Sequence, residues 1–148
     1  MLILGIESSC DETAIALVRD GHQVLTSVIS SQIAKHAEYG GVIPELAARE
    51  HLLNVRHVME QALDESGHSL DDIDGISVTN HPGLLPALLV GTSFASGLAA
   101  SLDIPVVGVN HLIAYIYASF IERQDLLNIG DKPITALLVS GGHTQIII

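Results

Sequence analysis

Three short apolar runs, residues 2–6, 14–18 and 23–29, open the chain, and the last two are separated only by Asp20-Gly21. An Asp-Gly pair accepts the left-handed backbone of a two-residue hairpin turn, so the second and third runs are expected to pair as antiparallel strands. The first run stops at Glu7-Ser8-Ser9, which makes three consecutive strands joined by tight turns. From Pro44 the period changes. Val55, Val58, Met59, Ala62 and Leu63 recur at three- and four-residue spacing up to Gly67, which predicts one long amphipathic helix with Pro44 in its first turn. Residues 76–79 then read as a strand, 80–84 as a Pro-Gly loop, and 86–102 as a second helix rich in Ala, Gly and Ser. A strand at 105–109 follows, with Asn110 as the N-cap of a third helix from His111 to about residue 126. Residues 134–148 read as strand, Gly-rich turn, strand.

An antiparallel hairpin followed by alternating helices and strands gives an α/β fold: a mixed sheet with helices on both faces. At 148 residues the chain has length for one ordinary core. The element order resembles the ribonuclease-H-like half-domain of actin and the sugar kinases, in which two such halves clamp a nucleotide. On that resemblance residues 1–130 are expected to form a first actin-like ATPase domain. Residues 131–148 would be the opening hairpin of a second, truncated one.

Composition limits the partners. Seventeen acidic residues against six Lys plus Arg give a formal charge of −11, which argues against a phosphate-backbone footprint on this chain. A nucleic-acid substrate would have to be held by another part of the enzyme or by a partner. The single cysteine, Cys10, allows no internal disulfide, and the first residues lack a basic, then apolar, secretory signal. The apolar runs are too short or interrupted for the roughly 20 residues of a bilayer span, so a cytoplasmic protein without a membrane is expected.

Several residues could carry chemistry. Ser140-Gly141-Gly142-His143-Thr144 lies between two apolar strands; its glycines let backbone N–H groups turn toward an anion, and a plain hairpin turn explains it equally. Residues 7–13, Glu-Ser-Ser-Cys-Asp-Glu-Thr, combine small hydroxyls with carboxylates that suit a nucleotide phosphate and its Mg²⁺, or form a hydroxyl-rich turn without a ligand. With no neighbouring His or Lys in sequence, Cys10 reads as an inert thiol. His111 and Tyr115 share one face of the third helix, where capping and packing compete with metal binding. His51 and His57 are expected to face solvent. Tyr39-Gly40-Gly41-Val42-Ile43-Pro44-Glu45-Leu46-Ala47 is explained by structural duties at the start of the first helix.

Taken together, LGIESSCDET, the YGGVIPELA block with Arg49 and His51, PGLLPALLVG, VNHLIAY and LLVSGGHTQ resemble, in order and spacing, the signature blocks of the tRNA threonylcarbamoyladenosine synthase catalytic subunit family, once called glycoproteases. The resemblance implies transfer of threonylcarbamoyl from its adenylate to the exocyclic amine of the adenosine beside the anticodon. It implies that Leu138, Val139, Ser140, Gly141 and Gly142 touch the adenylate, that His111 binds a metal (iron or zinc), and that Asp11 is the catalytic polar residue near the reacting centre. The ligand would be threonylcarbamoyl-AMP or ATP, the latter with Mg²⁺. The partners would be tRNA, reached through other parts or subunits, a paralogous actin-like subunit and an ATPase subunit.

Two departures stand out. The family has His-x-x-x-His where this chain has His111 and Tyr115, and the family is about twice as long, its remaining ligands lying in the missing half. The expectation is an enzyme fragment inactive alone, cut short or completed by an obligate partner. The alternatives are a non-catalytic dimerisation or scaffold subunit and a sugar-kinase-like phosphotransferase half. A metalloprotease is disfavoured, since there is no His-Glu-x-x-His and the lone His111 is expected to have no acidic neighbour as base.

Overall fold

The computed structural model describes residues 1–121, 123, 133–139 and 144–148. In chain order the elements are β1 (Leu2–Glu7), β2 (Glu12–Arg19), β3 (Gln23–Ser31), α1 (Ile33–Ala37), α2 (Pro44–Ser66), a 3-10 turn (Leu70–Asp72), β4 (Gly75–His81), α3 (Leu85–Leu102), β5 (Val106–Asn110) and α4 (His111–Ala118). The hairpin β6 (Ala136–Val139) and β7 (Thr144–Ile147) forms a separate two-stranded sheet.

The first five strands form one sheet in the order β3-β2-β1-β4-β5. β1, β2 and β3 pair antiparallel, while β4 lies parallel to both β1 and β5. The turn between β2 and β3 is the one Asp-Gly demands, with Asp20 at φ 53° and Gly21 at φ 77°. The right-handed crossover rule for parallel strands then places the intervening helices, α2 and α3, on a common face.

Alternation along the strands decides what that face buries. Leu2, Leu4 and Ile6 of β1, Ile15 and Leu17 of β2, and Ile76 and Val78 of β4 join Val55, Val58, Met59 and Ala62 of α2 and Ala95 and Ala99 of α3 in one core. Removing each large aliphatic side chain from water contributes about 1.5–3 kcal/mol. α2 begins at Pro44 and ends where Gly67 turns left-handed, φ 68°, its N–H bonded to the Asp64 and Leu63 carbonyls. That is the Pro-first, Gly-last pattern expected from the sequence.

α3 buries Ala87, Gly91, Ala95 and Ala99, one small residue per turn, so its axis lies close to the sheet. A Cβ on Gly91 would run into the Ser8 hydroxyl, whose Oγ donates to the Ala87 carbonyl at 3.0 Å. By length and composition alone α3 is long and apolar enough to cross a membrane, against the expectation from its sequence. Its small-residue stripe and contacts with α2, β4 and β5 explain part of that apolarity as packing.

The opposite face of the sheet is lined by Gly5, Ala14, Ala16 and Ser77, and α4 lies along it, enclosing an apolar trough of about 410 Å³. Helices therefore cover both faces. Two elements differ from the sequence-based expectation. The five-residue α1 was not anticipated, and α4 is shorter than predicted. After Ala118 the bonds Ser119 N–H to Ile116 O and Phe120 N–H to Tyr117 O span three residues instead of four, so the helix tightens and stops.

Candidate functional site

β1, β4 and β5 run parallel and end at the same edge of the sheet, the edge at which open α/β sheets bind ligands. Their last residues are Glu7, His81 and Asn110. Asn110 caps α4, its Oδ1 accepting from Leu112 N–H at 2.8 Å and Ile113 N–H at 3.2 Å. That cap fixes the first turn of the helix and sets His111 above the edge.

The imidazole of His111 lies against an acid that no local pattern in the chain places there. Its Nδ1 is 3.2 Å from Glu7 Oε2 and 3.3 Å from Ser9 Oγ. Glu7 also accepts from Ser9 N–H at 2.5 Å and from the Thr79 hydroxyl. Burial works to raise the Glu7 carboxyl, but the Ser9 and Thr79 donors and the nearby imidazole outweigh it and hold the group below its ordinary value. With a carboxylate as acceptor, Nδ1 carries the proton, and in the neutral ring Nε2 keeps the lone pair. The expectation that His111 has no acidic neighbour is thus corrected: the partner is 104 positions away in sequence.

Tyr115 follows one turn along α4 and meets His111 edge to face, with ring centroids 4.5 Å apart. Burial and then the charges of Glu7 and Glu12 push its hydroxyl above the ordinary value, so without a cation beside it the phenol stays protonated. Among the described residues no group of three His, Cys, Asp or Glu converges as a metal cluster. His111, oriented through Nδ1 and open at Nε2, fits one position of a metal site; Tyr115 fits it less well.

Ser9, Cys10, Pro82, Gly83, Leu84, His111, Leu112 and Tyr115 line a cleft of about 190 Å³ beside this cluster. Gly83 makes the cleft's floor possible: a Cβ there would come within 2.7 Å of the Ser9 carbonyl oxygen. Asp11 stands partly exposed in the same loop, its carbonyl accepting from Gln32 N–H at 2.9 Å. Burial, with Asp11 alongside, pushes the Cys10 thiol up to about 11, so the inert-thiol reading agrees with its surroundings.

Two of the hydroxyls in residues 7–13 serve the fold. Ser8 bonds to α3, and Thr13 bonds to the fully buried His51. His51 therefore does not face solvent as expected, while His57 does. The signal for His51 was present: it lies four residues after Ala47 and four before Val55, inside the apolar stripe of α2.

Leu138 and Val139 sit on β6, Leu138 buried and Val139 exposed. Ser140, Gly141 and Gly142, expected with them to touch the adenylate, lie outside the described residues.

Sheet order, parallel edge and flanking helices define a half-domain of the ribonuclease-H-like, actin and sugar-kinase type. Among solved structures the fold matches YeaZ from Pseudomonas aeruginosa, with a TM-score of 0.64 over 99% of this chain and 66% of that one at 18% identity. It also matches Thermus thermophilus RuvC, solved with a Holliday junction substrate, with a TM-score of 0.50 over 90% of this chain and 83% of that one at 12% identity. Residues 23–148 fit the sequence pattern described as tRNA N6-adenosine threonylcarbamoyltransferase, and the chain belongs to that family. Relatives bearing that name are 53% identical in Fusobacterium nucleatum and 56% identical in Trichlorobacter lovleyi, each aligned over 99% of this chain. The chain spans only 42% and 41% of those two relatives' lengths.

Proposed function

We propose that this chain supplies the N-terminal portion of a tRNA N6-adenosine threonylcarbamoyltransferase and holds one wall of its active site. The observation carrying this reading is the cluster of Glu7, Ser9, Thr79 and His111 at the carboxyl edge of the sheet, with Asp11 in the adjoining loop. In the proposed reaction the adenosine N6 amine attacks the carbamoyl carbon of threonylcarbamoyl-AMP. A C–N bond forms, the C–O bond to phosphate breaks, and AMP leaves with the electron pair.

The amine's proton needs an acceptor, and the proposed one is the carboxylate of Asp11, which is partly exposed and follows Cys10 of the cleft in sequence. Glu7 is already committed to three donors, so its part is to orient His111. In this reading His111 would hold an iron or zinc ion through Nε2, with Tyr115 beside it and further ligands from outside this chain. Such a metal, when bound, supplies Lewis-acid polarisation of an oxygen. Leu138 and Val139 lead into residues 140–142, where the adenylate, or ATP with Mg²⁺, would be held. The β6–β7 hairpin then opens a second domain over this edge.

Leu52 and Leu53 of α2 and Leu85 and Leu89 of α3 are exposed leucines, each more than half accessible. They support docking of a paralogous actin-like subunit on this helical layer, with an ATPase subunit and tRNA reached through the rest of the assembly. Such an enzyme would work in the cytoplasm without a membrane.

The test is threonylcarbamoyl transfer to tRNA by the 148-residue chain, alone and mixed with the C-terminal portion of a relative. Inactivity alone and activity on mixing are expected. Transfer by the chain alone overturns the fragment reading. Failure of both, with ATP-dependent phosphorylation of a sugar instead, would favour the phosphotransferase alternative.

A further inference from the structure

The loop of residues 9–11 is held by three successive carbonyls, each bonded to a different part of the chain. Ser9 O accepts from Leu84 N–H at 2.8 Å and Asp11 O from Gln32 N–H at 2.9 Å. Between them Cys10 O lies 3.0 Å from Nε2 of His51, the one side chain among the three clamps. A carbonyl only accepts, so Nε2 carries the proton and Nδ1 is left as an acceptor.

That acceptor is used. Thr13 Oγ1 lies 2.7 Å from Nδ1, and Gln32 Nε2 lies 3.4 Å from it. The arrangement continues through a second buried imidazole. Ile43 N–H donates to His36 Nδ1 at 3.3 Å, which leaves His36 Nε2–H to donate to Gln32 Oε1 at 3.1 Å. The amide of Gln32 is thereby fixed with its nitrogen toward His51 and the Ala47 carbonyl. Thr13, Gln32, His36 and His51 are each no more than 3% exposed. Backbone groups at Ile43 and Cys10 set the direction of every proton between them, so the chain has a single satisfied state.

We propose that His51 is a positioning residue: through this relay the segment that starts α2 fixes the Cys10 carbonyl, and with it the direction in which Asp11 leaves the loop. The proposal rests on reading Asp11 as the proton acceptor at the reacting edge, but the clamp itself can be tested apart from that reading. It gives the YGGVIPELA segment a task at the site, although no residue of that segment reaches the cleft beside His111. Backbone hydrogen bonds alone would hold Ser9 and Asp11 and leave the peptide between them free to flip. The imidazole supplies a donor that the local backbone lacks.

The experiment uses the full chain with His51→Leu, which removes both ring functions at similar bulk, and His51→Gln, which keeps one donor and one acceptor. The Leu84 and Gln32 N–H groups donate to Ser9 O and Asp11 O on either side of Cys10, so their hydrogen-exchange rates at fixed pH report on loop opening. The Leu variant is expected to exchange at these two amides about 10-fold faster than the parent and the Gln variant within about 2-fold of it. Wild-type exchange in the Leu variant, or equal acceleration in both variants, overturns the proposal.

Should the Leu variant fail to fold, long-range ¹⁵N–¹H spectra of the parent chain decide: His51 must show a protonated Nε2 and a bare Nδ1 at neutral pH, and the opposite tautomer refutes the relay. In the complemented enzyme the Leu variant is expected to lose about 10- to 100-fold in kcat with the KM for the adenylate nearly unchanged, and the Gln variant to recover most of it. A loss confined to KM counts against positioning. If the parent enzyme transfers nothing, the functional reading fails while the exchange and tautomer results still judge the clamp.

Discussion

At the scale of single residues, His51 and Glu7 both have lowered pKa values, one through burial and the other through its donors, with the same consequence for acid stability. Burial lowers the His51 pKa from 6.5, so the unfolded chain takes up a proton there before the folded one does. The stability that its neutral form contributes is complete above pH 6.5 and is lost as pH falls through the folded value. Glu7 is held below 4.5 by its donors, so its contribution is complete above pH 4.5 and disappears as pH falls through its own folded value. Denaturation midpoints measured from pH 8 to 3 should therefore fall in two stages. His51→Gln should flatten the stage that begins near 6.5, and Glu7→Gln the one that begins near 4.5. A profile unchanged by either substitution would rule out these groups as its cause. Glu7→Gln should also destabilise the chain at neutral pH by about 1–2 kcal/mol, because an amide cannot accept from Ser9, Thr79 and His111 together.

At the scale of elements, the close approach of α3 to the sheet depends on the absence of a side chain at Gly91. Gly91→Ala improves helix propensity by nearly 1 kcal/mol but forces a methyl group onto Ser8, and overpacking of about 1–3 kcal/mol should win. Adding Ser8→Ala removes the hydroxyl in the way, and the double variant should recover most of the loss in urea denaturation. If the two changes are simply additive, the contact does not limit the packing. α4 has only eight residues, so its single side-chain cap carries unusual weight. Asn110→Ala should cost about 0.5–2 kcal/mol and loosen His111. Increased hydrogen exchange at Leu112 and Ile113 would show it.

At the scale of the whole molecule, the exposed leucines of α2 and α3 are apolar positions on a chain whose formal charge is −11. If that layer docks a related subunit, Leu52→Glu with Leu89→Glu should weaken association at least about 10-fold, because two desolvated leucines contribute roughly 1.5–3 kcal/mol each. Sedimentation of the paired chains would measure it, and unchanged association would exclude this face. The same substitutions should leave the core intact, since neither side chain belongs to it.

The order of strands and helices, the Asp20-Gly21 turn, the Pro44 start and Gly67 stop of α2 and the Asn110 cap were legible in the sequence because each depends on residues only a few positions apart. The family was legible for the same reason, as blocks in order. The burial of His51 was written in the phase of α2, yet a polar residue in an apolar stripe declares its role only when Thr13 and Cys10 arrive to satisfy it. The meeting of Glu7 with His111 left no local trace. It follows from β1, β4 and β5 lying parallel and ending at one edge, which brings residues 104 positions apart to within 3.2 Å. Periodicity and capping are short-range physics, fixed by the chain's own neighbours; the chemistry of this edge is long-range, and only the packed sheet could assemble it.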